Sequence, residues 1–507
     1  MRDEQGIEAE ATELLQTLIR NRCVNDGTVA SGQETRSVST LEAYFNGAGV
    51  ACERYTSEPG RESLIARIEG SDPKAPRLLL MGHTDVVPVS PDGWKRDPFG
   101  GELVDGVVWG RGAIDMLNLT STMAVATRRL AKDGFRPRGT LIYFAVADEE
   151  AGGNLGAGYV VDRRPEMVKA DYVITESGGV PIPTRDGHVL GVTVGEKGAN
   201  WRHLTVAGTP GHGSRPFRTD NALVTAAEVV RRIAAYQPKT RILDVWREYV
   251  KAMDLGPELT QGLTDPDRVL DTVSRMDNLA LAREAHACTH TTFSPNIIHG
   301  GVKTNVIPDR VEIDVDIRAL PGITTEEVDA MVREALGDLA PRVTIKQGRG
   351  QQGSLSSHDT PLVAAMERVT RRLMPSSKVV PKMTTGGTDA KFFRWQGVPA
   401  YGFGLQSLRI PYTEYPLMFH GHNERVDTES LKLSTMMWES LAREFLAQRI
   451  TSAGVRSYIP TFPLSSPGRG AGKCRNVRPD PISASPRAAG RRRCRPPSPP
   501  ARRPRRR

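Results

Sequence analysis

Cysteine is scarce in this chain: five residues in 507, at positions 23, 52, 288, 474 and 494, widely spaced and without a CxxC pair. That pattern argues against a disulfide framework and a thiolate zinc site, and it fits a reducing compartment. No apolar run reaches 18 residues, so no membrane partner or span is predicted. The start, Met1-Arg2-Asp3-Glu4-Gln5, leads into an acidic amphipathic stretch rather than the basic and apolar regions of a secretory signal, which predicts a soluble cytoplasmic protein. Excess basic charge is missing from most of the chain as well. The formal charge is +9, but residues 451–507 hold 15 Lys and Arg against the single acid Asp480. The remaining 450 residues carry 53 basic and 58 acidic side chains, net −5. A mildly acidic body gives no reason to expect nucleic-acid binding except through that tail.

A chain of 507 residues exceeds one ordinary core, and its 38% apolar content suits a globular body. Helical spacing covers 8–22, Ser37 to Phe45 and 116–132. Short apolar runs at Leu78-Leu79-Leu80-Met81, 141–146 and Tyr172-Val173-Ile174 read as buried parallel strands. From about Gly195 the texture changes. Val311, Ile313, Val315 and Ile317 alternate with Glu312, Asp314, Asp316 and Arg318, as in a strand with one wet face. Strands at 201–206 and 343–346 and helices at 220–235 and 324–336 complete a small α+β unit. After about 350 the first texture returns, with helices near 360–373 and 428–447. The predicted fold class is α/β: a mixed, largely parallel sheet flanked by helices, interrupted by an inserted α+β domain. The expected divisions are 1–194 and 349–450 for the catalytic domain, 195–348 for the insert, and 451–507 for a disordered Arg/Pro-rich tail. That tail reads as a solvated segment, as an arm for nucleic acid or a membrane surface, or as the product of an unselected GC-rich frame.

Each predicted strand ends on a chemically capable residue: His83, Glu149 with Glu150, and Glu176. In open α/β sheets such endings converge on one crevice outside the carboxyl ends of the strands. With Asp115 and His420 they suit two neighbouring metal ions. His83 and Asp85 point to one side of an extended chain, so Asp85 is placed to orient a metal-bound imidazole; the plain alternative is a strand-end histidine beside a turn aspartate. Asp115 either caps the helix that follows or bridges two cations through its two oxygens. Asp148-Glu149-Glu150 is either a solvated acidic loop or, on extended chain, a ligand beside a general base. His358 and His422 read as ordinary surface or loop histidines.

Met81-Gly82-His83-Thr84-Asp85-Val86-Val87-Pro88, Trp94, Asp97-Pro98-Phe99 and Gly110-Arg111-Gly112-Ala113-Ile114-Asp115 resemble the dinuclear zinc peptidases of clan MH. Those include aminoacylases, carboxypeptidase S, glutamate carboxypeptidase, acetylornithine deacetylase and succinyl-diaminopimelate desuccinylase. The likeness runs from about 10 to 449. It implies two zinc ions, with cobalt or manganese as substitutes: His83, Asp115 and Glu176 would hold one, and Asp115, Glu150 and His420 the other. It further implies Asp85 as orienting residue, Glu149 as catalytic base, and His212, in Gly208-Thr209-Pro210-Gly211-His212-Gly213-Ser214, as oxyanion holder, in several relatives across a homodimer interface. Asn305 and Arg318 would hold a substrate carboxylate, although Arg318 also has a charge-balancing alternative on its acidic strand. Gly386 and Gly387 would offer backbone amides, or form a plain turn. The implied activity is hydrolysis of an amide bond in a small peptide or N-acyl amino acid by a metal-bridged water. A dedicated desuccinylase or deacetylase, and a non-catalytic binder of amino-acid derivatives, are the alternatives. After Asp115 the chain reads Met116-Leu117-Asn118, where many relatives have Met-Lys-Gly or Met-Lys-Asn; Leu117 is not a ligand position, so metal binding is expected to survive.

Overall fold

The structure is a computed structural model that describes residues 3–447. The tail expected to be disordered, 451–507, lies outside the described residues. Among those described, a ten-stranded mixed sheet forms the main layer. Its centre is parallel: Leu141–Val146, Leu78–His83, Tyr172–Thr175 and Ala400–Gly402 lie side by side in that order. Antiparallel strands Arg61–Ile68 and Ala51–Glu58 extend one edge, and Gly187–Glu196 extends the other.

Alternation along the central strands divides the core between two faces, as a period of two requires. Leu78, Leu80, Leu141, Tyr143 and Ile174 meet helices Glu4–Arg20, Leu117–Lys132 and Thr428–Ala447, whose Leu15, Leu18, Met123, Leu130, Trp438, Leu441 and Phe445 are buried. Leu79, Met81, Ile142, Phe144 and Val173 face the other way, onto Val160 and Phe393 from helices Ala157–Arg163 and Ala390–Arg394. Each such large apolar side chain contributes about 1.5–3 kcal/mol on burial. The continuous apolar runs of the sequence are therefore strands covered on both sides.

A second, four-stranded antiparallel sheet has the order Thr292–Gly300, Arg310–Ala319, Gly198–Ala207, Val343–Gly350. Val311, Ile313, Val315 and Ile317 are buried against helices Ala222–Ala235 and Thr325–Leu336, so the alternation read in the sequence marks the covered face. Thr324 and Glu327 close a reciprocal capping box at the start of the latter helix. Helices Asp244–Ala252, Pro257–Thr264, Val269–Ser274 and Leu279–Thr289 fall between these strands in sequence, yet their Trp246, Tyr249, Leu263 and Cys288 belong to the larger core. Among the described residues no helix is long and apolar enough to cross a membrane.

Beneath the carboxyl ends of the parallel strands lies a buried cation. Arg61 is 1% exposed; its Nη1 donates to Glu34 Oε1 at 2.6 Å, and its Nη2 donates to the Thr28 carbonyl at 2.7 Å and Asn25 Oδ1 at 3.1 Å. Asp148 Oδ1 lies 3.7 Å from Nη1. Burial pushes the Glu34 carboxyl up to about 7 even with this partner. Removing one member of such a pair leaves the other charge buried and unpaired, so Arg61→Met is expected to lower stability by about 3–5 kcal/mol, read from urea unfolding.

Candidate metal centre

Parallel pairing sets the site. His83 is in register with Val146, and Leu78 with both Leu141 and Tyr172, so the three strands end on one edge. The chain then turns sharply. After Val146 it passes through Asp148, whose φ is +69°, into the 3-10 turn Glu149–Ala151. The extended chain expected at Glu149 and Glu150 is thus a tight turn, and it is the turn that separates the two side chains. Glu176 follows Tyr172–Thr175 directly. Asp115 precedes helix Leu117–Lys132, whose N-cap is Met116 with no side-chain cap; the Asp115 carboxylate turns to two imidazoles instead. His420, with φ +57°, lies on the loop before strand Arg425–Asp427.

These five residues form two groups that share Asp115. His83 Nε2 is 3.3 Å from Asp115 Oδ1 and 3.8 Å from Glu176 Oε2. His420 Nε2 is 3.3 Å from Asp115 Oδ2 and 3.1 Å from Glu150 Oε2. In each group the donor atoms all lie within 4.8 Å of one another, so each could hold a metal ion. Three features fit such ions. Each oxygen of Asp115 faces a different imidazole, Glu150 Oε1 is buried without a hydrogen-bond partner, and the mixed N/O donor set suits zinc, cobalt or manganese. His83 Nδ1 donates to the Asp85 carbonyl at 2.9 Å. A carbonyl only accepts, so Nδ1 carries a hydrogen, and in the neutral form of the ring the lone pair lies at Nε2.

Charge is concentrated here. Burial, then Glu176 and Asp389, push the Glu149 carboxyl well above its usual range. Burial and Asp115 raise Glu150, and burial raises Glu176 to about 7. Asp115 moves the other way: burial opposes ionisation, but His420 and His83 hold it below the ordinary carboxylate range. Hydrogen bonds to Asp115 and Glu150 raise His420 to about 10. His83 is likewise raised: burial opposes, and Asp115 and Glu176 prevail. Carboxylates in this density require positive charge among them.

Several supports were not singled out from the sequence. The Asp85 carboxylate lies 3.6 Å from His83 Nδ1, farther than Asp85's own carbonyl. Its oxygens instead accept from the Glu149 and Glu150 amides at 3.2 and 3.1 Å and from Asn25 Nδ2 at 2.8 Å. Fully buried Glu424 accepts from Arg111 Nη1 at 2.7 Å and from the amides of Gly112, Ile114 and Asp115, fixing the Asp115 loop. Glu424 stands four residues after His420, whereas Asn25 and Glu34 stand in segments with no distinguishing pattern. Leu117 is buried in the larger core. His358 pairs with Glu248 at 3.0 Å, and His422 packs edge-on against Trp94; neither joins the cluster.

The other expected site residues lie elsewhere in the fold. Exposed His212 sits in the short pairing of Gly211–His212 with Val306–Ile307, where its Nδ1 contacts Ser214 Oγ at 2.7 Å. Asn305 adjoins it, its carbonyl accepting from Gly213 N at 2.8 Å. Arg318, on the second sheet, forks onto Asp316 at 2.8 and 3.2 Å. Gly386 and Gly387 are exposed, next to buried Thr388, whose amide and hydroxyl both donate to Glu196 Oε2 at 2.6 and 2.7 Å.

A family model described as Peptidase family M20/M25/M40 matches residues 79–444. Aminoacylase-1 of Sus scrofa is 27% identical over 396 residues, 77% of this chain and 85% of the relative. An M20 family metallo-carboxypeptidase of Sulfolobus solfataricus shares the fold with a TM-score of 0.66, at 18% identity, over 88% of this chain and 100% of the other. So does the Bacillus subtilis YXEP protein, a dinuclear metal binding peptidase from the M20 family, with a TM-score of 0.54 and 14% identity over 86% and 99%. With a family model spanning most of its length, the chain belongs to the peptidase family M20/M25/M40 and is a hydrolase of amide bonds.

Proposed function

We propose that this protein is a zinc-dependent amidohydrolase of the aminoacylase kind, acting on N-acyl amino acids or small peptides. The observation that carries the reading is the placement of the Asp115 oxygens, one toward His83 and Glu176 and one toward His420 and Glu150. His83, Asp115 and Glu176 would hold one ion, and Asp115, Glu150 and His420 the other. Ions held there would supply Lewis acidity, making a water more acidic and polarising a carbonyl oxygen.

The chain's own residues do the rest. Glu149 takes a proton from the attacking water and delivers it to the departing amine nitrogen. Asp85 keeps Glu149 in reach by holding the backbone of its turn, and the Asp85 carbonyl fixes the His83 tautomer. Gly386 and Gly387, beside the clamped Thr388, would line the substrate path. His212 would meet the developing negative charge from a second copy of the chain. An exposed edge strand, Thr292–Gly300, carrying exposed Ile297 and Ile298, supports such a homodimer, with the second sheet as lid and dimerisation domain. Asn305 stays with the substrate, whereas Arg318, already forked onto Asp316, takes the charge-balancing role.

The direct test assays purified protein of known zinc content against dipeptides, N-acyl amino acids, N-succinyl-diaminopimelate and N-acetylornithine. Zinc-dependent cleavage across the first two groups is expected. Activity confined to either of the last two compounds would replace this reading with the dedicated desuccinylase or deacetylase, and a zinc-loaded protein that cleaves nothing would end it. Glu149→Gln should keep both ions by elemental analysis while kcat falls by about 10²–10⁴-fold. Asp115→Ala should lose or scramble the pair, and two fully occupied sites in that variant would contradict the shared carboxylate.

A further inference from the structure

Two imidazoles of this chain are held in opposite senses. His83 Nδ1 faces an acceptor, the Asp85 carbonyl, at 2.9 Å. His212 Nδ1 faces donors, the Ser214 amide at 3.1 Å and the Ser214 hydroxyl at 2.7 Å. A backbone N–H can only donate, so Nδ1 of His212 is the acceptor and the ring hydrogen lies on Nε2. That nitrogen has no hydrogen-bond partner among the described residues. In its neutral form His83 therefore offers a lone pair at Nε2, whereas His212 offers an N–H there.

The backbone around His212 is fixed so as to make this contact. The His212 carbonyl accepts from Arg215 N at 3.0 Å, closing a turn over 212–215 that brings the Ser214 amide back toward the ring. Gly213 N donates to the Asn305 carbonyl at 2.8 Å, and Gly211 and His212 pair with Ile307 and Val306. On the other flank Gly208 N donates to the Asp309 carbonyl and Thr209 N to the Asp220 carbonyl, both at 2.7 Å. The loop runs so close to its neighbours that a side chain at Gly208 would lie 2.5 Å from the Asp220 carbonyl oxygen, and one at Gly213 3.1 Å from the Asn305 backbone. Yet His212 and Ser214 are both exposed. A ring that buries nothing adds nothing to the core by holding one tautomer, so the restraint serves whatever group meets Nε2 from outside.

Chemistry names that group. When an amide carbonyl is attacked, its oxygen gains negative charge and is stabilised by N–H donors fixed in place beforehand. A lone pair at the same spot would repel it. We propose that Ser214 is a positioning residue for His212: its amide and hydroxyl hold the imidazole in the tautomer that carries hydrogen on Nε2, so that the ring meets the substrate oxygen as a donor. The inference rests on the amidohydrolase reading, which gives His212 that oxygen to meet.

The test has a spectroscopic and a kinetic arm. Zinc-loaded protein with isotope-labelled histidine is studied by nitrogen NMR, in which a bare ring nitrogen and one carrying hydrogen are distinct, and the His212 signals are assigned by their loss in His212→Ala. The unmodified protein should show a bare Nδ1 and a hydrogen on Nε2. Ser214→Ala should shift His212 toward a mixture of tautomers, and Ser214→Thr, which keeps a hydroxyl, should restore the first pattern. In hydrolysis of the best substrate among the dipeptides and N-acyl amino acids, His212→Ala is expected to lower kcat by about 10²–10³-fold. Ser214→Ala should lower it by about three- to tenfold with KM within about twofold, as the loss of one neutral hydrogen bond allows, and should cost nothing more once His212 is alanine. A hydrogen on Nδ1 in the unmodified protein, or a tautomer or kcat indifferent to Ser214→Ala, overturns the proposal. So does a loss on Ser214→Ala that persists in full beside His212→Ala, which marks a serine acting elsewhere. A zinc-loaded protein that cleaves nothing removes the amidohydrolase reading whatever the tautomer, whereas cleavage that falls with His212→Ala but ignores Ser214→Ala removes this inference alone.

Discussion

Asp115, Glu149, Glu150 and Glu176 crowd together at one edge of a sheet whose interior is almost wholly apolar, and everything nearby answers that concentration of negative charge. Ionised carboxylates in a low-dielectric setting are tolerated only when each is matched by donors or cations. The match is made in two layers. Toward the substrate side, His83 and His420 face the oxygens of Asp115, Glu150 and Glu176. Behind them, Asp85 accepts from two amides and Asn25, Glu424 from three amides and Arg111, and Glu34 from Arg61. In the rear layer Asp85 and Glu424 have both oxygens met by fixed donors, while Glu34 leaves Oε2 without one. The front layer has imidazoles and one orphaned oxygen, Glu150 Oε1, and is the part left to receive cations.

Close packing carries this arrangement into the strands. The Thr120 hydroxyl donates to the His83 carbonyl at 2.7 Å, fastening the strand end to helix Leu117–Lys132. That approach is so close that a side chain at Gly82 would lie 2.4 Å from the same hydroxyl oxygen, which explains a glycine in an otherwise bulky run. The imidazole is therefore held at both ends, its backbone by Thr120 and its Nδ1 by the Asp85 carbonyl. Such rigidity is what a metal site needs from residues that do not touch the metal.

How much of this was legible follows from which signals are local. Apolar runs and helical spacing located three of the four central strands, Ala400–Gly402 being missed, and the helices at 117–132, 222–235, 325–336, 361–373 and 428–447, because burial on one or both faces writes a period into the sequence. Strands Ala51–Glu58, Arg61–Ile68 and Gly187–Glu196 were not seen. The first is largely exposed, the second interleaves Arg61 and Ser63 with its apolar residues, and the third is broken by Gly191 and Gly195. His83, Asp115, Glu150, Glu176 and His420 were legible because each follows a strand or a glycine turn, and the structure brings all five together. The Asp85 carboxylate was assigned to His83, but its partners come from the Glu149 turn, and nothing local in Asp85 specifies contacts more than 60 residues away.

Backbone strain shows where the surrounding structure is exerting force. Asp148, Ser177 and His420 all have positive φ, and each is a candidate site residue or adjoins one. A non-glycine residue in that region costs about 1–3 kcal/mol and persists only where its neighbours over-determine it. At Asp148 the restraints are explicit: its carbonyl accepts from Gly153 N at 2.6 Å, its carboxylate from Leu155 N at 2.9 Å, and Arg61 stands behind. At His420 the carbonyl accepts from Arg111 Nη2 at 3.2 Å while the same guanidinium holds Glu424. Arg111 and Arg61 therefore do for the two halves of the site what one cation cannot do for both. Arg111 ties the His420 turn to Glu424, which fixes the Asp115 loop, and Arg61 with Glu34 holds the Asp148 turn, so both strained turns of the site rest on ion pairs that stand behind it.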